Sequence, residues 1–151
     1  MIRNTTVTVC GPLNVNKLGV TYVHEHLMVK PQLPDEYYIP YTLDDEAAST
    51  EETRSFSAAG GETLVEMTPI NYGRNVKAYQ RIAQATGVHV ICCTGFHKQL
   101  FMPPWFGDKT DGELYDILMD EVTNGLDDTE IHPGVIKLGT SFEEVTAAEK
   151  R

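Results

Sequence analysis

Four runs rich in β-branched and apolar residues alternate along this chain with three stretches of helical character, and that order constrains the fold more than any single residue does. The runs are Gly19–Val29, Thr63–Thr68, Val88–Phe96 and Gly134–Ser141. Between the first two, Thr42-Leu43-Asp44-Asp45 has the form of a capping box with Asp in place of the usual Glu, and an acidic, alanine-containing helix is predicted to run from there to Ala59, where Gly60-Gly61 ends it. Asn75 to Thr86 sets Val76, Tyr79, Ile82 and Ala83 on one helical face and is stopped by Gly87. A third helix is predicted from about Asp111 to near Gly125, with Leu114, Ile117, Leu118 and Val122 facing inward. Each connection is long enough for a right-handed crossover, so the strands are expected to lie parallel in an α/β sheet or barrel. Ahead of them, a strand over about Thr5–Val9 and a turn through Cys10–Lys17 read as a hairpin leading into the first core strand.

Composition narrows the class. Hydrophobic residues at 41% and charged residues at 23% are those of a globular domain. A net charge of −10 argues against nucleic acid and anionic membranes, which are bound through clustered Lys and Arg, so small-molecule or protein partners are expected. No segment approaches the roughly 20 apolar residues of a membrane span, and no apolar stretch of signal-peptide length opens the chain. Cys10, Cys92 and Cys93 form no disulfide framework, which suits a reducing, cytoplasmic setting; the adjacent pair reads as small core hydrophobes. Neither Gly-x-Gly-x-x-Gly nor a Gly-Lys-Ser/Thr loop is present, which removes the usual support for a nucleotide-binding open sheet.

Chemistry-bearing residues gather where strands meet their following loops: His26, Glu66, His97 and Lys137. In a parallel barrel those are the strand ends that carry the active site. The period of two sends His24 and His26 to one face of their strand and Glu25 to the other, where it supports the wall. Two imidazoles on one face are half of a metal site; a solvated or core-satisfied pair is the other reading of the spacing alone. Lys137 stands inside an apolar run. A buried, unpaired ammonium costs several kcal/mol, roughly, and tends to give up its proton and become nucleophilic; alternatively the residue sits at the strand end and reaches water. Glu66 reads as a structural or ligand-supporting carboxylate, Arg74 as a residue that holds a loop or pairs with a carboxylate and has no catalytic role, and the loop His97–Lys109, with Pro103-Pro104-Trp105-Phe106, as one that packs its own rings, with a substrate clamp as the other reading.

Taken together, several segments resemble the phosphotriesterase family of the amidohydrolase superfamily. They are Thr8-Val9-Cys10-Gly11-Pro12, Leu18 to Leu27 with its His24-Glu25-His26, Thr63-Leu64-Val65-Glu66-Met67-Thr68, Gly73-Arg74, Thr94-Gly95-Phe96 and Gly134-Val135-Ile136-Lys137, in the family's order. The resemblance implies a (β/α)8 TIM barrel, of which residues 1–151 supply about the first four β/α units, preceded by a β-hairpin. It further implies two divalent metal ions, expected to be zinc. His24 and His26 look like the strand-one ligands of the more buried metal, and Lys137 like the strand-four lysine that carbon dioxide converts to a carbamate bridging both metals and that serves catalysis. The reaction so implied is attack of metal-activated hydroxide on an ester, lactone or phosphotriester, with His97 at the pocket mouth as a substrate contact.

The family completes its site with a histidine on strand five, a histidine on strand six and an aspartate on strand eight, and this chain stops short of all three. His89, at a strand start, and His132, before strand four, are poor substitutes. Thr146-Ala147-Ala148-Glu149 is the start of a helix, followed only by Lys150-Arg151. The expectation is therefore the N-terminal half of a hydrolase barrel, inactive alone and acting on a small-molecule substrate once completed by a missing C-terminal half. The alternative is a non-catalytic half-barrel that functions by homo-oligomerisation or by pairing with a partner chain. On either reading the tips of His24, His26 and Lys137 should lie within about 7 Å of one another, and the Lys137 strand should be an uncovered edge with exposed apolar surface.

Overall fold

A computed structural model describes residues 4–32 and 41–151. Four parallel strands form one sheet in the order β3-β4-β5-β6: β3 (Thr21–Glu25), β4 (Thr63–Glu66), β5 (His89–Phe96) and β6 (Val135–Leu138). Sequential strands are spatial neighbours, and each pair is joined through a helix: α1 (Glu46–Ala58), α2 (Val76–Thr86) or α3 (Asp111–Asn124). This is the β/α order expected from the sequence.

Ahead of the sheet, β1 (Thr5–Thr8) and β2 (Gly11–Asn14) pair antiparallel, with Thr8 opposite Gly11. The turn is thus only Val9-Cys10, shorter than the predicted Cys10–Lys17, and Gly11 supplies its positive φ of 109°. The hairpin caps the end of the sheet where β5 begins: the Val9 N–H donates to the Val90 carbonyl at 2.8 Å, and Gln80 donates to the Val9 carbonyl.

Local chemistry sets most element limits. The Asn75 side chain accepts from the Ala78 N–H to start α2, and Gly87 ends it in the left-handed region at φ 76°. Thr110 and Glu113 form a reciprocal capping box at α3. Helix α1 departs from expectation, because its N-cap is Asp45, which accepts from Ala47 and Ala48, and not Thr42. The reason is non-local. Leu43 and Val29 exchange both backbone hydrogen bonds at 2.8 and 2.9 Å, which holds residue 43 extended and delays the helix.

The main core lies between the middle of the sheet and α2: Leu64, Val90 and Cys92 pack with Tyr79, Ile82 and Ala83. A smaller cluster of Phe96, Phe106 and Leu114 holds α3 and the aromatic loop, which contains 3-10 turns at Gln99–Phe101 and Pro104–Asp108. Of the four predicted inward residues of α3 only Leu114 is fully buried; Leu118 is partly buried, and Val122 is exposed together with Tyr115 and Met119 on one side of the helix. Residues 146–151 make a single turn in which Thr146 and Glu149 cap each other, and Glu149 also accepts from Ser141 and the Gln99 N–H, pinning the turn beneath the aromatic loop. Among the described residues no helix is long and apolar enough to cross a membrane.

Candidate active site

Lys137 is the only buried residue of β6. It is 8% exposed, while its neighbours Ile136 and Leu138 are 63% and 76% exposed. The run that reads as a uniformly buried strand is therefore one-sided, with the charged side chain inward and the apolar ones outward. Backbone placement depends on Gly95, which lies opposite Lys137 at φ 112°; a Cβ there would sit 2.1 Å from the Lys137 carbonyl oxygen.

Inside the sheet, Lys137 Nζ lies 3.4 Å from His24 Nε2. These residues belong to the two outer strands, which three strand spacings would separate by about 14 Å in a flat sheet. Such an approach requires the sheet to curl strongly, as the wall of a barrel does. The His24 and His26 rings are 5.2 Å apart between centroids, so the three residues named from the sequence converge as expected.

How β3 delivers its histidines is less simple than alternation suggests. Tyr22 pairs with Leu64 and Glu25 with Glu66, so three steps on β3 match two on β4, a bulge of one residue at Val23-His24. Tyr22 accordingly packs on Phe56 of α1, on the helix side, whereas His24 turns its ring toward His26 and Lys137. Glu25 lines a groove of about 560 Å³ beside α1, together with Tyr22, Leu43, Phe56 and Leu64, and its carboxylate accepts the His26 N–H at 3.1 Å.

His26 is held from behind. Its Nδ1 is 2.8 Å from Thr68 Oγ1, and Thr68 Oγ1 is 2.6 Å from Glu66 Oε1. Glu66 is fully buried and also accepts from the N–H groups of Leu27 and Thr68. Burial raises its carboxyl to about 7 against the opposing effect of these hydrogen bonds. Burial first, then the charges of His24, Lys137 and His97, lowers His26 to about 4, so its 3.9 Å approach to Glu66 is no ion pair at neutral pH. His24 is lowered too, by burial and then by Lys137. Both imidazoles are thus neutral, the form that ligates metals. Among the described residues no three His, Cys, Asp or Glu side chains are grouped to hold an ion; the side chain that stands beside His24 from across the sheet is Lys137.

His97 follows β5 at the same end. It stacks on Phe101 at 4.8 Å and meets Tyr72 edge-on at 4.7 Å. The Lys98 N–H donates to its Nδ1, leaving Nε2 as the polar atom it presents, and burial with nearby Lys137 lowers it to about 4. Arg74 pairs with carboxylates as expected: its guanidinium bridges Glu121 and Asp127 at 2.6 Å each and donates to the Cys93 carbonyl. Sequence reading singled out Glu66 but missed Thr68 as its link to His26; the signal was the Glu-x-Thr spacing, which lets a carboxylate at the end of β4 meet a hydroxyl two residues on.

A parallel, curled sheet whose histidines and buried lysine meet at the C-terminal strand ends has the form of half of a barrel wall. The phosphotriesterase family matches residues 4–151, and the chain belongs to that family. It is 31% identical to an N-acetyltaurine hydrolase from Danio rerio over 99% of this chain and 51% of that protein. It is likewise 31% identical to a phospho-furanose lactonase from Mycoplasmopsis synoviae, over 94% of this chain and 45% of that one. The crystal structure of a lactonase from Listeria monocytogenes superposes with a TM-score of 0.86 at 28% identity, covering 97% of this chain and 50% of that one. The chain thus spans about half the length of the curated relatives it matches, and its strands are about half of a TIM barrel.

Proposed function

We propose that this chain carries the first metal-ligating half of a hydrolase that opens esters, lactones or phosphotriesters. The observation behind it is the 3.4 Å approach of buried Lys137 to His24 Nε2, beside His26. The donor set fits a pair of divalent ions, with zinc the natural choice for imidazole ligands. His24 and His26 would hold the more buried ion through neutral ring nitrogens. Lys137 would join them as a carbamate: its ammonium first gives one proton to water, the neutral amine then adds to the carbon of carbon dioxide, forming an N–C bond as a C=O π pair moves onto oxygen, and a second proton leaves the nitrogen, so that the cationic side chain becomes an anionic oxygen donor. When bound, the metals supply an activated water and polarise the substrate oxygen. Glu66 and Thr68 orient His26, Gly95 lets the Lys137 backbone close on β5, and His97 offers its Nε2 to substrate at the mouth. The relatives' names include a lactonase and an N-acetyltaurine hydrolase, which supports a small ester, lactone or amide substrate. Free cysteines, two of them buried, fit a cytoplasmic protein.

The remaining ligands would come from polypeptide outside these four β/α units, in the missing C-terminal half or in a second copy. The exposed apolar residues at both sheet edges favour such completion: Tyr22 and Val23 on β3 with Val20 just before it, and Ile136 and Leu138 on β6 with Phe142 past its end. They equally support the second reading, a non-catalytic half-barrel that works by association. The test is zinc competition titration of the 151-residue chain with light scattering on the same sample, and carbon NMR with labelled bicarbonate to detect the carbamate. Weak zinc binding lost in His24→Ala and Lys137→Ala is expected. Tight binding of two metals by a proven monomer would overturn the half-site reading, and zinc binding unchanged in His24→Ala would overturn the metal reading.

A further inference from the structure

We infer that Glu66 and Thr68 act as a hydrogen-bond relay that places the proton of neutral His26 on Nδ1 and so leaves the lone pair free on its Nε2, in a ring that lies beside His24. They are positioning residues. The inference deepens the metal reading above and rests on it for its functional meaning, but the relay is a property of the chain itself.

Proton counting along the relay sets its direction. A carboxylate only accepts, and a hydroxyl has one proton to give. Glu66 Oε1 accepts from the Leu27 N–H at 3.2 Å and from Thr68 Oγ1 at 2.6 Å, while Oε2 accepts from the Thr68 N–H at 3.1 Å. The Thr68 hydroxyl proton is thereby committed to Glu66. Toward His26 Nδ1, at 2.8 Å, Thr68 Oγ1 has only lone pairs left, so the proton of that bond belongs to the imidazole. The order holds for ionised Glu66, the form of slightly alkaline pH, because a carboxylate has no proton to return to Thr68 Oγ1.

The arrangement is also rigid. Glu66 and Thr68 have no solvent exposure. Tyr79, fully buried beside them, donates its hydroxyl to the Met28 carbonyl at 3.2 Å and fixes the chain just past His26. Free imidazole favours the opposite tautomer, with the proton on Nε2, so in the absence of the relay His26 would present an N–H where an electron pair is needed. Carboxylate groups that set a histidine tautomer from behind are a general means of tuning metal ligands; here a threonine hydroxyl carries the effect across the 3.9 Å between His26 Nδ1 and Glu66.

The test uses the 151-residue chain stripped of metal. Long-range proton–nitrogen correlation spectra of the histidine rings at slightly alkaline pH should show His26 with a protonated Nδ1 and an unprotonated Nε2. Thr68→Val, which keeps the shape and removes the hydroxyl, should move His26 toward the Nε2–H form, and Thr68→Ser should restore the original pattern. Thr68→Ala, which opens space rather than adding a methyl, serves as a second variant with the same expected shift. Zinc followed in the same spectra should need about tenfold more metal or greater to perturb His26 in Thr68→Val. A wild-type His26 protonated on Nε2, or a tautomer unchanged in both hydroxyl-free variants, overturns the relay whatever zinc does. Zinc binding that survives His26→Ala undiminished overturns the metal reading and leaves the tautomer result standing.

Discussion

Strands β4 and β5 and strands β3 and β6 belong to one sheet but meet different surroundings. The middle pair is packed by the α2 residues Tyr79, Ile82 and Ala83, and it carries side chains that brace rather than present, Glu66 and Thr94, with Thr68 just past the end of β4. The outer pair carries His24 and Lys137 and leaves Tyr22, Val23, Ile136 and Leu138 in solvent. Bracing thus concentrates at the centre and candidate ligands at the margins, and curvature alone brings the margins together. The four strands and their helices thus hold His24 and Lys137 within 3.4 Å of each other without further strands.

The largest expected effect tests the centre. Arg74, whose side chain is 4% exposed, neutralises Glu121 and Asp127, and Thr94 donates to the same Glu121. Arg74→Ala leaves a mostly buried carboxylate without its cation and should cost about 3–5 kcal/mol in urea unfolding. A loss below about 1 kcal/mol would show that this cluster is a surface pair and that the centre is not braced as described. Next, Ile82→Ala on the buried face of α2 should cost about 2–4 kcal/mol by cavity formation.

A smaller effect separates site from scaffold by pH. His97 is lowered to about 4 in the folded chain by burial, Lys137, Lys98 and His24, with Glu149 opposing, against an ordinary value of 6.5. The unfolded chain therefore takes up a proton first, so stability is full above pH 6.5 and is lost as pH falls toward 4. His97→Phe keeps a ring against Phe101 and should remove up to about 2 kcal/mol of that acid loss. Glu66 works in the other direction: its value near 7 means that the folded chain holds a proton the unfolded chain has released, so its contribution falls as pH rises from 4.5 to 7. Equal acid sensitivity in wild type and His97→Phe would place His97 in water.

The smallest effect is expected at the margin. Leu138→Ser, at a position 76% exposed, should change monomer stability by no more than about 0.5 kcal/mol. A cost above about 1 kcal/mol, or one that depends on protein concentration, would show that the β6 face is covered in solution. The contrast between centre and margin would then describe an interface and not a free edge.

Much of this was legible beforehand because it is local. Asn75 and Gly87 bound α2 through their own side-chain and backbone preferences, Thr110 and Glu113 do the same for α3, and the period of Val76, Tyr79, Ile82 and Ala83 names the buried face without reference to what it meets. Even the reciprocal cap of Thr146 and Glu149 follows from three residues of separation. The convergence of His24, His26 and Lys137 was legible as well, through the resemblance of whole segments to one family and the rule that barrel sites gather at C-terminal strand ends.

What the tertiary structure decided depends on contacts between distant segments. The Leu43–Val29 bridge moves the start of α1 to Asp45, the mismatch between β3 and β4 puts a bulge under His24, and the β6 backbone lies so close to β5 that only glycine fits at position 95. Which face of Gly134–Ser141 turns inward could not be read from an apolar run with one lysine, because period and hydrophobicity point opposite ways until the curl of the sheet places His24 beside Nζ. The direction of the protons between Glu66, Thr68 and His26 is of the same kind. Sequence determines which donors and acceptors exist, and only their positions in space decide which of them must give.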